Sequence, residues 1–287
     1  MVDTSPVNRP DVLRYVAFSD DPSGGNPAGV VLDATGLTDD EMLAIAADVG
    51  FSETAFLLPH ADGLDARYFS PLAEVSFCGH ATIATAVAHA ERAGAGTLHL
   101  RTAAGEVPVR TGRGADGAWT ATLTSVPPRT APLTDGDLRD LLALLRLTPG
   151  DLDPALPPRV AYAGAWHPVL ALASRERLAV LDYDVPGLGR LMADRGWTTV
   201  ALVWRQDATT FSARNPFPPG GVVEDPATGA AAAALGGYLR EGGHVAVPAR
   251  LTVLQGADMG RPSTLSVHVP AGSGGIEVSG TAVPIPG

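Results

Sequence analysis

The alternation of apolar and polar residues divides the chain into many short strands, interrupted by a few stretches whose apolar spacing is helical. Strand-like runs appear first at Arg14-Tyr15-Val16-Ala17-Phe18 and, after the turn cluster Gly24-Gly25-Asn26-Pro27-Ala28-Gly29, at Val30-Val31-Leu32. Thr38-Asp39-Asp40-Glu41 carries a helix start: Thr38 can cap the first turn, and Glu41 three residues on completes a capping box. Met42, Ile45, Ala46 and Val49 follow at helical spacing, and Gly50 ends the run. Residues 51–59, 67–69, 97–101, 107–110 and 118–123 read as further strands. Three prolines within residues 126–132 resist both helix and central strand, which predicts a linker there. The expected units are therefore residues 1–127 and 128–287, with the last strand able to return to the first unit. The second half opens on a helix over residues 135–147. It continues with strands at 159–163, 169–173 and 199–204 and a short helix at 186–195. After an alanine-rich helix it closes on strands at 251–254, 265–269 and 276–278. Each half is sheet-rich around one helix of very small residues, an α+β pattern and not β-α-β alternation.

The two small-residue helices follow similar turns. Glu224-Asp225-Pro226-Ala227-Thr228-Gly229 runs into Ala230 to Ala234, a charged pair set directly before a helix. Roughly 145 residues earlier, Tyr68-Phe69-Ser70-Pro71 leads through Cys78-Gly79-His80-Ala81-Thr82 into Ile83-Ala84-Thr85-Ala86. One unit is written twice, and the reading is that the halves meet at these turns with the reaction between them. A helix start presents unpaired N–H groups and the positive end of the helix dipole, so two of them point to a small carboxylate substrate. Gly79 and Gly229 allow backbone to approach it closely. The plainer alternative is that small residues merely let each helix sit inside a tight sheet.

Composition narrows the chemistry. A chain of 287 residues suits two domains, and 45% apolar with 18% charged residues is globular, with no run long enough to span a bilayer. The net charge of -11 argues against a nucleic-acid partner, because a phosphate-binding surface needs concentrated Lys and Arg. The opening residues lack the basic start and apolar core of a signal peptide, which predicts a cytoplasmic protein. The sequence contains no lysine, so Schiff-base chemistry and a lysine-ended phosphate loop are excluded. Cys78 is the single cysteine, which excludes an intrachain disulfide and a two-thiol mechanism within one chain.

Among the seven histidines, His80 alone sits on a glycine-containing turn before a helix, with His167 an intermediate case. No His-x-His, His-Glu-x-x-His or Cys-x-x-Cys spacing is present, so no metal is expected. Glu53 is the anomaly of its strand: a carboxylate beside Phe51 and Phe56 is either solvent-facing on the pleat or desolvated with a purpose. Glu53, His80 and Asp225 together make an acid/base set able to remove a proton from a small molecule and return one elsewhere. Cys78, flanked by Phe77, reads either as a buried structural thiol or as an attacking or proton-abstracting group.

Gly25-Asn26-Pro27-Ala28-Gly29-Val30-Val31, Ser52-Glu53-Thr54-Ala55-Phe56, Tyr68-Phe69-Ser70-Pro71 with Cys78-Gly79-His80-Ala81-Thr82, Glu224-Asp225-Pro226-Ala227-Thr228-Gly229, and Gln255-Gly256 with Met259-Gly260-Arg261-Pro262-Ser263 resemble, in order, the motifs of the PhzF family of phenazine biosynthesis. The resemblance implies a diaminopimelate-epimerase-like fold, with two pseudo-symmetric domains each wrapping a β-barrel-like sheet round a central helix, and a cofactor-free homodimer with its site in the cleft. It assigns the proton shuttle to Glu53 and carries the family's Gly-His histidine and Glu-Asp-Pro aspartate onto His80 and Asp225. The residues expected to line the substrate are Cys78, Gly79, Ala81 and Thr82 at the first turn and Thr228, Gly229 and Ala230 at the second. The phenazine isomerase has a serine where this chain has Ala230, so one substrate hydrogen bond is missing here. The implied activity moves a proton and a double bond in a small unsaturated cyclic acid. Epimerisation or racemisation of an amino acid and non-catalytic binding are the alternatives. Related epimerases of the fold use two cysteines, one per half, and this chain has one.

Overall fold

The computed structural model describes residues 10–60 and 63–286, and the opening run read above against an export signal lies outside that range. In the first half the elements are β1 (Leu13–Ala17), β2 (Asn26–Val31), α1 (Asp39–Val49), β3 (Thr54–His60), β4 (Gly63–Phe69), β5 (Glu74–Val75), α2 (Gly79–Ala93), β6 (Gly96–Thr102), β7 (Gly105–Arg113) and β8 (Trp119–Thr124). In the second they are β9 (Arg129–Pro132), α3 (Asp135–Leu144), β10 (Arg159–Tyr162), β11 (Trp166–Ala171), α4 (Arg175–Ala179), α5 (Val185–Arg195), β12 (Ala201–Arg205), β13 (Thr210–Pro216), β14 (Glu224–Asp225), α6 (Gly229–Glu241), β15 (Ala249–Gln255), β16 (Ser263–Val269) and β17 (Glu277–Pro284).

The first half closes on itself. Pairing runs β1–β2–β3–β4–β6–β7–β8–β17 and back to β1, a closed barrel of eight strands completed by the last strand of the chain. Helix α2 lies inside it. His80 to Ala88 and Ala90 are all buried, and only a helix of mostly alanine, threonine and valine is thin enough to be enclosed on every side. The second half repeats the plan with β9–β10–β11–β12–β13–β15–β16–β17 curved round α6, whose residues Ala231 to Leu239 are buried. One apolar core runs through both halves, and β17 belongs to both sheets. The remaining helices pack outside. Met42 and Ala46 of α1 cover Phe56 and Phe69, while Leu141, Leu188 and Met192 of α3 and α5 cover the outer face of the second sheet.

Local signals account for several elements. Thr38 and Glu41 form the capping box that starts α1, and Gly50 closes it at φ 72°. The proline-rich stretch departs from expectation, because its residues Arg129 to Pro132 form a strand paired to β10. Among the described residues that pairing is on one side only, and an edge strand tolerates the missing N–H of Pro132.

The halves are joined through the loop before β2. Arg261 donates from Nε to Gly25 O at 2.8 Å and from Nη2 to Gly24 O at 2.6 Å, and Gly25 N donates to Pro262 O at 3.0 Å. Phe18, fully buried at φ 65°, receives a bond from Thr264 N at 2.8 Å. Gly25 is irreplaceable in this clasp: its φ is 57°, and an added Cβ would stand 2.1 Å from Val16 Cγ1 and 2.4 Å from Ala17 O. Left-handed strain and overpacking together should make Gly25→Ala less stable by about 3 kcal/mol. Urea unfolding measures this, and a change below about 1 kcal/mol would show that the loop relaxes freely.

Candidate active site

Four helices begin with a side chain bonded to their first turn: Thr38, Thr134, Ser174 and Asp184 cap α1, α3, α4 and α5. The two enclosed helices differ. Cys78 and Thr228 occupy the cap positions of α2 and α6 without capping them, so the dipole ends of both helices remain available where the halves meet. The Thr228 hydroxyl is turned instead to Asp225 Oδ2, at 2.6 Å. The space beside Gly79 is open: a Cβ added there would find its nearest neighbour, Phe77 Cε1, 4.0 Å away.

Strand parity places Glu53. Ala55 and Leu57 of β3 face the barrel interior, and Phe56 faces α1 on the other side. Glu53, one residue before β3, continues the interior row and meets the start of α2, its Oε2 lying 3.4 Å from His80 Nε2. Its side chain retains 15% exposure, and its carbonyl anchors the turn by accepting from Gly29 N at 3.1 Å. The expected setting of Glu53 is corrected in one respect: Phe56 stacks edge-on against Phe69, on the opposite face, and does not surround the carboxylate. Ser52 Oγ approaches His80 Nε2 at 3.4 Å, and Cys78 Sγ lies 3.4 Å from His80 Nδ1.

Asp225 arrives from the second half on β14, which is held to β13 by the Asn215–Asp225 pair. Its neighbour Glu224 is occupied by a buried ion pair with Arg214 at 2.5 Å. Asp225 is buried, and desolvation pushes its carboxyl up to about 6, opposed by His80 and by the Thr228 hydrogen bond and reinforced by the charge of Glu53. Gln255 secures the turn round it: Nε2 donates to Asp225 O at 2.7 Å and to Thr228 Oγ1 at 3.0 Å, while Oε1 accepts from Thr228 N. Within the site Asn26 bridges the halves: its amide nitrogen lies 2.8 Å from Asp225 Oδ1, 3.1 Å from Ala227 O and 3.1 Å from His80 Nδ1.

The structure thus brings Glu53, His80, Cys78 and Asp225 together, with Gly79, Thr228, Gly229 and Ala230 at the helix starts. Ala81 and Thr82, expected to line the substrate, point into the fold. Both are fully buried, and the Thr82 hydroxyl bonds Tyr68 Oη and Cys78 O, each at 2.7 Å. His167 also lies away from this cluster. It is bonded to Thr199 at 2.9 Å in the interior of the second half, where burial pushes it down to about 4. Asn26, Ser52, Gln255 and Arg261 carry the geometry yet drew no individual role from the sequence. Their only signal was membership of glycine-containing motifs, since their partners are distant in the chain.

Glu53, Cys78 and His80 offer ligand atoms within 4.8 Å of one another, and these are the residues that could hold a soft divalent cation. Burial pushes the Cys78 thiol well up, with the Glu53 carboxylate adding to the effect, so a cation would have to displace a tightly held proton. What the arrangement offers directly is proton transfer: a partly exposed carboxylate against an imidazole, facing a buried carboxyl across a cleft with two uncapped helix starts.

Paired sheets wrapped round two small-residue helices are the diaminopimelate-epimerase-like fold, and the chain is an enzyme of the isomerase and epimerase class built on it. It belongs to the PhzF family: the family described as phenazine biosynthesis-like protein matches residues 15–286. The "uncharacterized isomerase YfhB" of Bacillus subtilis is 32% identical over 283 residues, covering 95% of this chain and 96% of that protein. The trans-2,3-dihydro-3-hydroxyanthranilate isomerase of Pseudomonas fluorescens is 32% identical over 254 residues, covering 87% and 86%. The crystal structure of the Bacillus anthracis phenazine biosynthesis protein of the PhzF family superposes with a TM-score of 0.87 at 28% identity, covering 96% of each chain. No helix among the described residues is long and apolar enough to cross a membrane.

Proposed function

We propose that this enzyme moves a proton and a double bond within a small unsaturated cyclic amino or carboxylic acid, without a cofactor, as in trans-2,3-dihydro-3-hydroxyanthranilate isomerisation. Glu53 takes the proton from one carbon and returns it to another, while His80 and Asp225 orient the substrate and balance charge. The observation that carries this reading is the position of Glu53, partly exposed and 3.4 Å from His80 Nε2 at the mouth of an enclosed helix. The relatives named as isomerases support it. The substrate carboxylate would lie against the free N–H groups that begin α2 and α6, near Gly79 and Gly229. Ala230, partly exposed in the first turn of α6, offers no hydroxyl, which favours a substrate with one polar group fewer on that side. The proposal extends to a cytoplasmic homodimer and to two units of residues 1–127 and 128–287, joined between β8 and β9.

Epimerisation is the second reading, because Cys78 lies against His80 and Asp225 faces it from the other half. A thiol pushed well up by burial is a poor base, and Pro226 and Ala227 supply no second thiol at the other helix start. Incubation with dihydroaromatic and cyclic amino acids in deuterated water, read by NMR, tests the proposal. A product with a shifted double bond and carbon-bound deuterium is expected, and exchange with inverted configuration alone would replace isomerisation by epimerisation. Cys78→Ala should keep the greater part of its turnover, whereas a loss beyond about 100-fold would make the thiol a reacting group.

A further inference from the structure

We infer that Asn26 is a positioning residue that fixes the ring tautomer of His80, turning the Nε2–H towards Glu53, and that it ties this setting to Asp225 across the two halves. The inference rests on the proposed function for its catalytic consequence, and on hydrogen bonding alone for the tautomer. Asn26 is 1% exposed and begins β2, directly after the loop that Arg261 and Pro262 clasp. Its amide group faces Asp225 Oδ1 at 2.8 Å and the Ala227 carbonyl at 3.1 Å. Both are oxygens that accept, so the NH2 end of the amide must point at them. The orientation is therefore settled by atoms other than His80.

With the amide so fixed, His80 Nδ1 at 3.1 Å faces a nitrogen that can only donate. The amide has two hydrogens for three acceptors, so one is shared with Nδ1; because its nitrogen cannot accept from an Nδ1–H, the neutral ring presents its lone pair there and carries its hydrogen on Nε2. The Cys78 sulfur lies 3.4 Å from Nδ1 and 3.8 Å from Nε2, so the thiol favours neither tautomer and the Asn26 amide decides between them. On the other edge of the ring Nε2–H is left facing Glu53 Oε2 and Ser52 Oγ, each at 3.4 Å. The opposite tautomer would aim an imidazole lone pair at a carboxylate. That would repel Glu53 from its place and give the substrate proton a competing acceptor. Asn26 thus keeps Glu53 as the single proton carrier while leaving His80 a donor.

The test is the ring nitrogen spectrum of His80 in protein labelled with 15N-histidine, without substrate, using a His80→Gln spectrum to assign the signal. The wild type should show a protonated, pyrrole-like Nε2 and a pyridine-like Nδ1; a protonated Nδ1 in the neutral ring would overturn the inference. Asn26→Asp puts an accepting oxygen at the same place, and any proton it holds is drawn to Asp225. The hydrogen should move to Nδ1 and turnover should fall about 100-fold with little change in KM. Asn26→Ala, which adds no charge beside Asp225, should give a mixture of tautomers. An unchanged His80 spectrum in a folded Asn26 variant of either kind overturns the assignment. A flipped tautomer with unchanged turnover would uphold the tautomer assignment and sink the catalytic roles proposed for Glu53 and His80.

Discussion

Glu53→Gln should abolish incorporation of solvent deuterium into product and lower turnover by about 10²- to 10⁴-fold, the range lost when a positioned general acid/base is removed. Glutamine keeps the length of the side chain and an oxygen that can accept from His80 Nε2 at the present 3.4 Å, but it cannot take up a proton. Stability should hardly move. Glu53 is partly exposed, glutamine can still accept through its oxygen, and the carbonyl bond to Gly29 N is untouched. Equal unfolding midpoints with a collapsed rate therefore separate chemistry from folding. Glu53→Asp provides a graded control, because withdrawing the carboxylate by one methylene should cost rate through misplacement and retain some exchange. Full exchange in Glu53→Gln would remove the carboxylate from the reaction and shift attention to Asp225 and Cys78.

The parts of this fold legible in the sequence are those written by local rules. The capping box of Thr38 and Glu41, the glycine end of α1, and two helices too thin to be anything but enclosed are readable without tertiary information. Side-chain chemistry likewise singled out His80 and Asp225 on glycine-containing turns before small-residue helices, and Glu53 as a carboxylate among the aromatic residues of a strand. What the sequence could not supply was orientation. Whether Phe56 or the barrel interior faces Glu53 depends on where β3 begins, and a one-residue change there reverses the answer. The proline stretch before α3 read as a linker, because edge pairing of β9 to β10 is a property of the assembled sheet. Asn26 reaches Asp225 across 199 positions of sequence, and Gln255 reaches Thr228 across 27. No periodicity records such bonds. His167 is an intermediate case in the sequence, and only the fold shows its ring enclosed beside Thr199, which in turn donates to Asn215.

The same burial that shapes the site should make it a liability for stability, and Asp225→Asn exposes the cost. Desolvation raises the Asp225 carboxyl from 3.8 to about 6, which corresponds to about 3 kcal/mol of folded-state stability that is present below pH 4 and lost as pH rises through 6. The sign follows from proton counting: between those values the folded protein binds more protons than the unfolded chain, so raising the pH favours unfolding. Asparagine carries no charge to desolvate and escapes this loss. Its amide cannot satisfy every present partner, however. If its oxygen accepts from Asn26, its nitrogen meets the Thr228 hydroxyl that now donates to Oδ2; if it is turned round, nitrogen faces nitrogen at Asn26. One hydrogen bond is forfeited, at about 1 kcal/mol. The net expectation at pH 7 is a variant more stable by about 1–2 kcal/mol and much slower in turnover, with the stability difference shrinking and reversing below about pH 4. Urea unfolding of both proteins at pH 7 and pH 4 decides it. A variant less stable than wild type by the same amount at both pH values would mean that Asp225 is not strained by its burial.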